Sequence, residues 1–444
     1  MFGALASLLL ITEFLFQPFL TSGILYATQI AFLPSFLLTT ASMQGVKSST
    51  HSLSTKDTFT TDTSLKSNNE SLSQIGGFTS YAPPEWFDLD RNAQIKLAKI
   101  LSWESLSKWD FDIFEVSKLS EGQPLLFLGW ALLSSPYSHY FMDHYLMGSY
   151  SQKIKEMEGY NFIDEFNIPQ KSMVDFLRTV ERKYKPDNPY HNNIHAADVL
   201  QTVHFFLKDN SSQVQLSSLY VFSSLVGATV HDIGHPGFTN DFMKNSHSDL
   251  AVRYENQSIL ESFHVNLTFH EILGEEGNLE TNILRAMKPE EALQFKNIVT
   301  EIVLTTDMQR HKEHLTNMTE FLTPVKSYND ISLPLAKFIL HVADISNCAK
   351  PYRSSIGWSY RVMEEFFLQG DREKELDLAL SPLGDRDTTS IAVSQSNFIQ
   401  YVVRPSFELL GGYIPTVGTH ILPIIDENAK YWQFEIAKEQ KDEC

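Results

Sequence analysis

Residues 216–237 read LSSLYVFSSLVGATVHDIGHPG: a compact apolar run closes on His231-Asp232 and is then turned by Gly234, Pro236 and Gly237. From Leu216 to Thr229 there is no proline and no charge, which predicts a central buried helix. The doublet therefore sits where a buried element ends. It places an imidazole beside a carboxylate, the pair needed when one residue ligates a metal and the next bridges two. The Gly-Pro-Gly turn brings His235 back toward the same place. An aspartate and two histidines packed there without a partner would be costly, so a bound cation is the reading preferred over a merely structural cluster.

Working outward, the helical period continues. Met173, Phe176, Leu177, Val180 and Tyr184 recur at three- and four-residue steps after Pro169. Phe295, Ile298, Ile302 and Val303 mark a helix that starts at Pro289, with Glu290 and Glu291 in its first turn. Trp358, Val362, Phe366 and Phe367 mark another. Alternating β patterns are scarce and no internal repeat is evident, so the body, residues 85–444, is all-α.

Two further clusters join the doublet. In YHNNIHAAD (190–198), His191 and His195 are spaced i, i+4, which on a helix puts them on one face with Asp198 one turn beyond. Neutral imidazoles on a rigid face suit zinc, but a two-histidine pattern alone is equally a surface or core pair. In HVADISN (341–347), Asp344 ends the apolar stretch Leu335, Phe338, Ile339 and Leu340. Singly it reads as a cap. With the other clusters it completes a His, His, Asp, Asp set.

Composition narrows the classes. The 444 residues are 43% hydrophobic and 20% charged, a globular mix, and the formal charge is 35 − 54 = −19. That balance argues against nucleic acid, whose phosphates need a basic footprint. A phosphate substrate would need its cationic attraction from bound metal. The only cysteines, Cys348 and Cys444, exclude a disulfide framework and a thiolate zinc cluster. Residues 1–41 carry a single charge, Glu13, and a dense apolar run from Leu8 to Phe16. They are read as a membrane segment, with a secretory signal as the rival. Lys47, Lys56 and Lys66 all lie downstream, which would leave the catalytic body facing the cytoplasm; a soluble cytoplasmic chain is the alternative. Residues 42–84 are Ser/Thr-rich and read as a flexible linker.

The order H-N-x-x-H-A-x-D (191–198), H-D-x-x-H-P-G (231–237) and A-D-I-S-N (343–347) resembles the catalytic domain of class I cyclic nucleotide phosphodiesterases, members of the HD metallohydrolases. Asn245, Leu250, Ala251 and Tyr254, then Ser258, Leu260, Glu261 and His264, match that family's N-x-x-x-x-L-A-x-x-Y-x-x-x-S-x-L-E-x-x-H stretch. Val303 to Met308 is similar to its V-L-A-T-D-M segment, and Arg361 to Asp371 to its E-E-F-x-x-Q-G-D stretch. Ser394, Gln395 and Phe398 resemble its nucleotide-binding S-Q-x-x-F, and Trp109 to Asp112 its W-D-F-D. The resemblance spans roughly residues 100 to 410.

It implies a compact multi-helix HD-type domain that opens cAMP or cGMP to the 5′-monophosphate. His195, His231, Asp232 and Asp344 would hold a first metal, zinc. Asp232 would also reach a second, magnesium or manganese, whose waters His235, Glu261 and Thr306 would hold. A hydroxide between the ions would be the nucleophile, and His191 the general acid for the departing 3′-oxygen. Gln395 would bind the purine edge, with Phe398 and Val362 on its two faces. Asn347, Tyr190, Ile345 and Met308 would complete the pocket. Two divalent ions would dominate the local field of a protein of charge −19. Partners are then the cyclic nucleotide and a membrane, with a homodimer left open. The departures are Gly234, where relatives often carry an acid, and Cys348, where they often carry proline. Another HD phosphohydrolase explains the ligand set equally but leaves Gln395 and Phe398 unused. A silent nucleotide-binding scaffold would be expected to lack His191 or a ligand.

Overall fold

The computed structural model describes residues 81–147, 154, 157–209, 212, 214–274, 279–322 and 328–442. The apolar segment and most of the linker lie outside the described residues. Among the described residues every regular element is helical, with no strand, and no helix is long and apolar enough to cross a membrane.

The helices that build or support the site are α1 (Pro124–Leu133), α2 (Gln170–Lys183), α3 (Asn193–Lys208), α4 (Ser218–Val230), α5 (Ile259–Asn266), α6 (Pro289–Val303), α7 (Tyr328–Asp344), α8 (Tyr352–Glu375), α9 (Ile391–Phe398) and α10 (Leu422–Asp442). α2 buries Met173, Phe176, Leu177 and Val180 on one stripe and ends on Arg182 and Lys183, which complement its C-terminal dipole. α6 opens with Pro289 in its first turn, where a missing N–H costs nothing, followed by Glu290 and Glu291.

α4 is the centre. Every residue from Phe222 to Val230 is buried, so it has no solvent stripe; α3, α6 and α7 cover it. Gly227 permits the closest of these approaches. A Cβ there would stand 2.3 Å from Ile302 Cδ1 on α6. α7 packs on α3 and α6 and ends at Asp344, while α8, α9 and α10 pack together on the other side of the 345–350 turn.

One local expectation is corrected. His191 and His195 do not share a helical face, because α3 starts only at Asn193. The Asn192 side chain accepts from the N–H groups of Ile194 and His195, which fixes the helix start there and leaves His191 on the preceding loop.

Candidate active site

His231 closes α4. Its Nδ1–H donates to the Ala228 carbonyl at 2.9 Å, so Nε2 offers its lone pair to the interior. That nitrogen lies 3.3 Å from His195 Nε2, 3.2 Å from Asp232 Oδ2 and 3.3 Å from Asp344 Oδ1. His195 Nε2 lies 3.0 Å from Asp344 Oδ1 and 3.5 Å from Asp232 Oδ2. Ligands about 2.0–2.1 Å from one ion stand about 3.3 Å apart in a tetrahedron. These four side chains, from three distant helix ends, therefore have the spacing of a cation site.

The electrostatics agree. Burial opposes a charged His231, yet Asp232 and Asp344 pull its pKa well above the ordinary histidine value. Asp232 Oδ2 is buried with no hydrogen-bond partner. The cluster demands positive charge, which a divalent ion would supply.

His191, His235 and Glu365 form a second group with ligand atoms close together. Here the rings of His191 and His235 stack at 4.0 Å with 22° between their planes. Their ring planes are nearly parallel, and Nδ1 of each is already engaged, by Glu365 on His191 and by the Gly237 N–H on His235. The group is knit by hydrogen bonds instead. Glu365, on α8, accepts from the backbone N–H groups of Tyr190 and His191 at 3.0 Å each and from His191 Nδ1–H. Burial opposes the imidazolium, but the carboxylate outweighs it and raises the His191 pKa to about 9. Burial raises Glu365 in turn, and His191 overcomes that to hold it at about 2. Asn188 Nδ2 donates to the carbonyls of His191 (2.8 Å) and His235 (2.9 Å), tying the two loops together. The turn after the doublet forms as the sequence predicts, with Gly234 at φ +74° and Gly237 at +87°. A Cβ on Gly234 would lie 2.9 Å from Leu267 Cδ2 and 3.1 Å from Phe263 Cε1.

A cleft of about 440 Å³ opens above these groups, within the usual size of small-molecule sites. Its lining includes Tyr190, His191, Asp232, His235, Glu261, Thr306, Met308, Asp344, Ile345, Asn347, Val362, Gln395 and Phe398. His195 and His231 lie beneath its floor, 2% and 0% exposed. At the polar end, the Gly237 N–H donates to His235 Nδ1 at 3.0 Å, so Nε2 carries the ring proton. Asn240 Nδ2 donates to both Glu261 oxygens at 3.1 and 3.0 Å. Burial, then Asp307, raises Glu261 to about 7. The Thr306 hydroxyl donates to the Val303 carbonyl at 2.8 Å, leaving its lone pairs for other donors. At the other end, Gln395 Oε1 accepts from Ser359 Oγ at 2.9 Å and Cys348 Sγ at 3.4 Å. Burial pushes the Cys348 thiol up to about 12, so it stays a donor.

Glu365, Asn188, His264, Asn240 and Ser359 have no role in the sequence reading. His264 Nδ1–H donates to the Ile233 carbonyl at 2.7 Å, so its buried Nε2 offers a lone pair 3.7 Å from Asp232 Oδ1. Glu365 and His264 stand inside quoted motifs, but nothing local marks what they face. Asp198 is not a ligand. It pairs with buried Lys350 at 2.8 Å.

A helical domain with a cation cluster under a cleft, and a carboxylate-held histidine beside it, defines a class of metal-dependent hydrolase by its chemistry. Residues 190–423 match the 3′5′-cyclic nucleotide phosphodiesterase family, and the chain belongs to that family. It is 34% identical over 335 residues to a human dual specificity calcium/calmodulin-dependent 3′,5′-cyclic nucleotide phosphodiesterase 1C, covering 75% of this chain and 43% of the relative. It is 30% identical over 360 residues to the mouse 3′,5′-cyclic-AMP phosphodiesterase 4C, covering 79% and 48%. The chain thus spans about half the length of the curated relatives it matches. Among solved structures, the phosphodiesterase domain of the Salpingoeca rosetta rhodopsin phosphodiesterase is similar, with TM-score 0.63 and 27% identity over 78% of this chain and 96% of that one.

Proposed function

We propose that this chain hydrolyses a 3′,5′-cyclic purine nucleotide to the nucleoside 5′-monophosphate, through its catalytic domain at residues 85–444. The observation that carries the reading is the His191–Glu365 pair beside a four-ligand cation cluster in one cleft. Zinc on His195, His231, Asp232 and Asp344, with magnesium or manganese reached by Asp232, would neutralise the phosphate and supply an activated water. The chain's own groups do the rest. His191 passes its Nε2 proton to the departing 3′-oxygen while Glu365 holds the ring through Nδ1. His235, Glu261 and Thr306 hold the waters around the second site. Gln395 and Asn347, whose buried Oδ1 has no protein partner, bind the polar edge of the purine. Phe398 and Val362 hold its faces, with Tyr190, Ile345 and Met308 completing the wall.

Membrane attachment through residues 1–41, with the domain in the cytoplasm, rests on the apolar run and the basic residues that follow it. Whether the chain works as a monomer or a homodimer is read from its sedimentation.

The test is incubation of the full chain with cAMP or cGMP in the presence of magnesium or manganese. Metal-dependent release of the 5′-monophosphate, abolished by a chelator, is expected, and the ratio of the two kcat/KM values ranks the substrates. A folded, metal-loaded chain that turns over neither nucleotide sinks the reading.

A further inference from the structure

We propose that Asn428, on α10 and beyond the end of the family match at residue 423, is a positioning residue for the base-binding end of the cleft. The proposal rests on the reading that this end takes a purine. Part of the cleft wall there is a 3₁₀ turn, Ser346–Ala349, directly after Asp344 and Ile345. Ile345 and Asn347 line the cleft, and Cys348 holds Gln395.

So short a turn satisfies little of its own backbone. Cys348, Ala349 and Lys350 are 0%, 0% and 1% exposed, so their carbonyls need protein donors. Each has one from a side chain far away in sequence. Asn428 Nδ2 donates to Cys348 O and to Lys350 O, both at 2.9 Å. Trp109 Nε1–H donates to Ala349 O at 2.9 Å. The Lys350 ammonium is held on α3 by Asp198 Oδ1 at 2.8 Å and Thr202 Oγ1 at 2.7 Å. Asn428 is itself 1% exposed, and one amide spans the two ends of the segment that presents Cys348 to Gln395. Asp344, by contrast, belongs to the last turn of α7 and does not depend on this amide. Loss of Asn428 therefore loosens the base end and spares the cation end.

The experiment compares the full-length, metal-loaded chain with Asn428→Leu, which keeps the size and removes both donors. The substrates are the cyclic purine nucleotide and bis(4-nitrophenyl) phosphate, a phosphodiester without a purine. A rise of about tenfold in KM for the cyclic nucleotide is expected from two lost hydrogen bonds, with metal content and turnover of the purine-free ester unchanged. Asn428→Ala, smaller and equally without the two donors, should raise KM by a similar factor and decides the matter if the leucine variant does not fold. Equal losses on both substrates would mean a general structural role and overturn the proposal, as would an unchanged KM. If the unsubstituted chain cleaves only the purine-free ester, the functional reading fails first, and this role with it.

Discussion

His191 and Glu365 are 174 positions apart, and their pairing sets the proton chemistry of the cleft. Burial alone would push the imidazole toward its neutral form; Glu365, with smaller help from Asp232 and Asp344, reverses this and lifts the pKa to about 9. The acid form exists below the pKa, so the raised value extends it upward, and kcat should fall only as pH rises through about 9. Glu365→Gln removes the charge and leaves the burial. The alkaline limb should then move to the ordinary histidine value of about 6.5 or below, with kcat at pH 8 down by roughly thirtyfold. A pH profile of the variant that still breaks near 9 would remove Glu365 from this role. His191 itself could be singled out from its motif because an H-N-x-x-H pattern is local. Its partner could not, because Glu365 sits mid-helix in α8 among other acids, and only the folded chain shows which of Glu364 and Glu365 turns inward: Glu365 is 4% exposed.

At the scale of helices, the close crossing of α4 and α6 places His231 and Asp232 at a fixed height above the core. Gly227 makes that crossing possible. Gly227→Val puts two methyls into the space of Ile302 and should destabilise the fold by about 1–3 kcal/mol. Thermal unfolding measures this, and the variant's metal content at low temperature should be retained while the domain remains folded. An unchanged Tm would show that the two helices can separate without cost. The starts of α2 and α6 were legible because each follows or opens with a proline and carries a 3.6-residue stripe. α4 was legible by its unbroken apolar run, with ends displaced by one or two residues from Leu216–Thr229. The start of α3 is not legible in the same way: the i, i+4 spacing of His191 and His195 suggests one face, whereas the Asn192 cap begins the helix between them.

For the molecule as a whole, the segment from Tyr81 to Trp86 packs on the helical body. Trp130 Nε1 donates to the Tyr81 carbonyl at 2.6 Å. Trp86 is 0% exposed, with the rings of Trp130, Phe141 and Phe127 at 5.6, 5.9 and 6.1 Å. A chain beginning at Tyr81 should keep the full chain's Tm and kcat. One beginning at Asp90 loses the tryptophan and about 3–5 kcal/mol, read as a lower denaturant midpoint. If the chain from Tyr81 already melts early, residues before it take part in the fold.

The sequence by itself determined the helical body, the side chains able to hold cations and the family to which they belong. Periodicity, caps and ligand chemistry are properties of neighbouring residues, and they survive in a linear reading. Tertiary structure alone decided that Glu365 holds His191, that His191 stacks on His235, that Asp198 pairs with Lys350, and that Asn428 holds a turn 80 positions away. Those relations are distances between remote segments, set by how α3, α4, α7, α8 and α10 close on one another, and no local pattern encodes them.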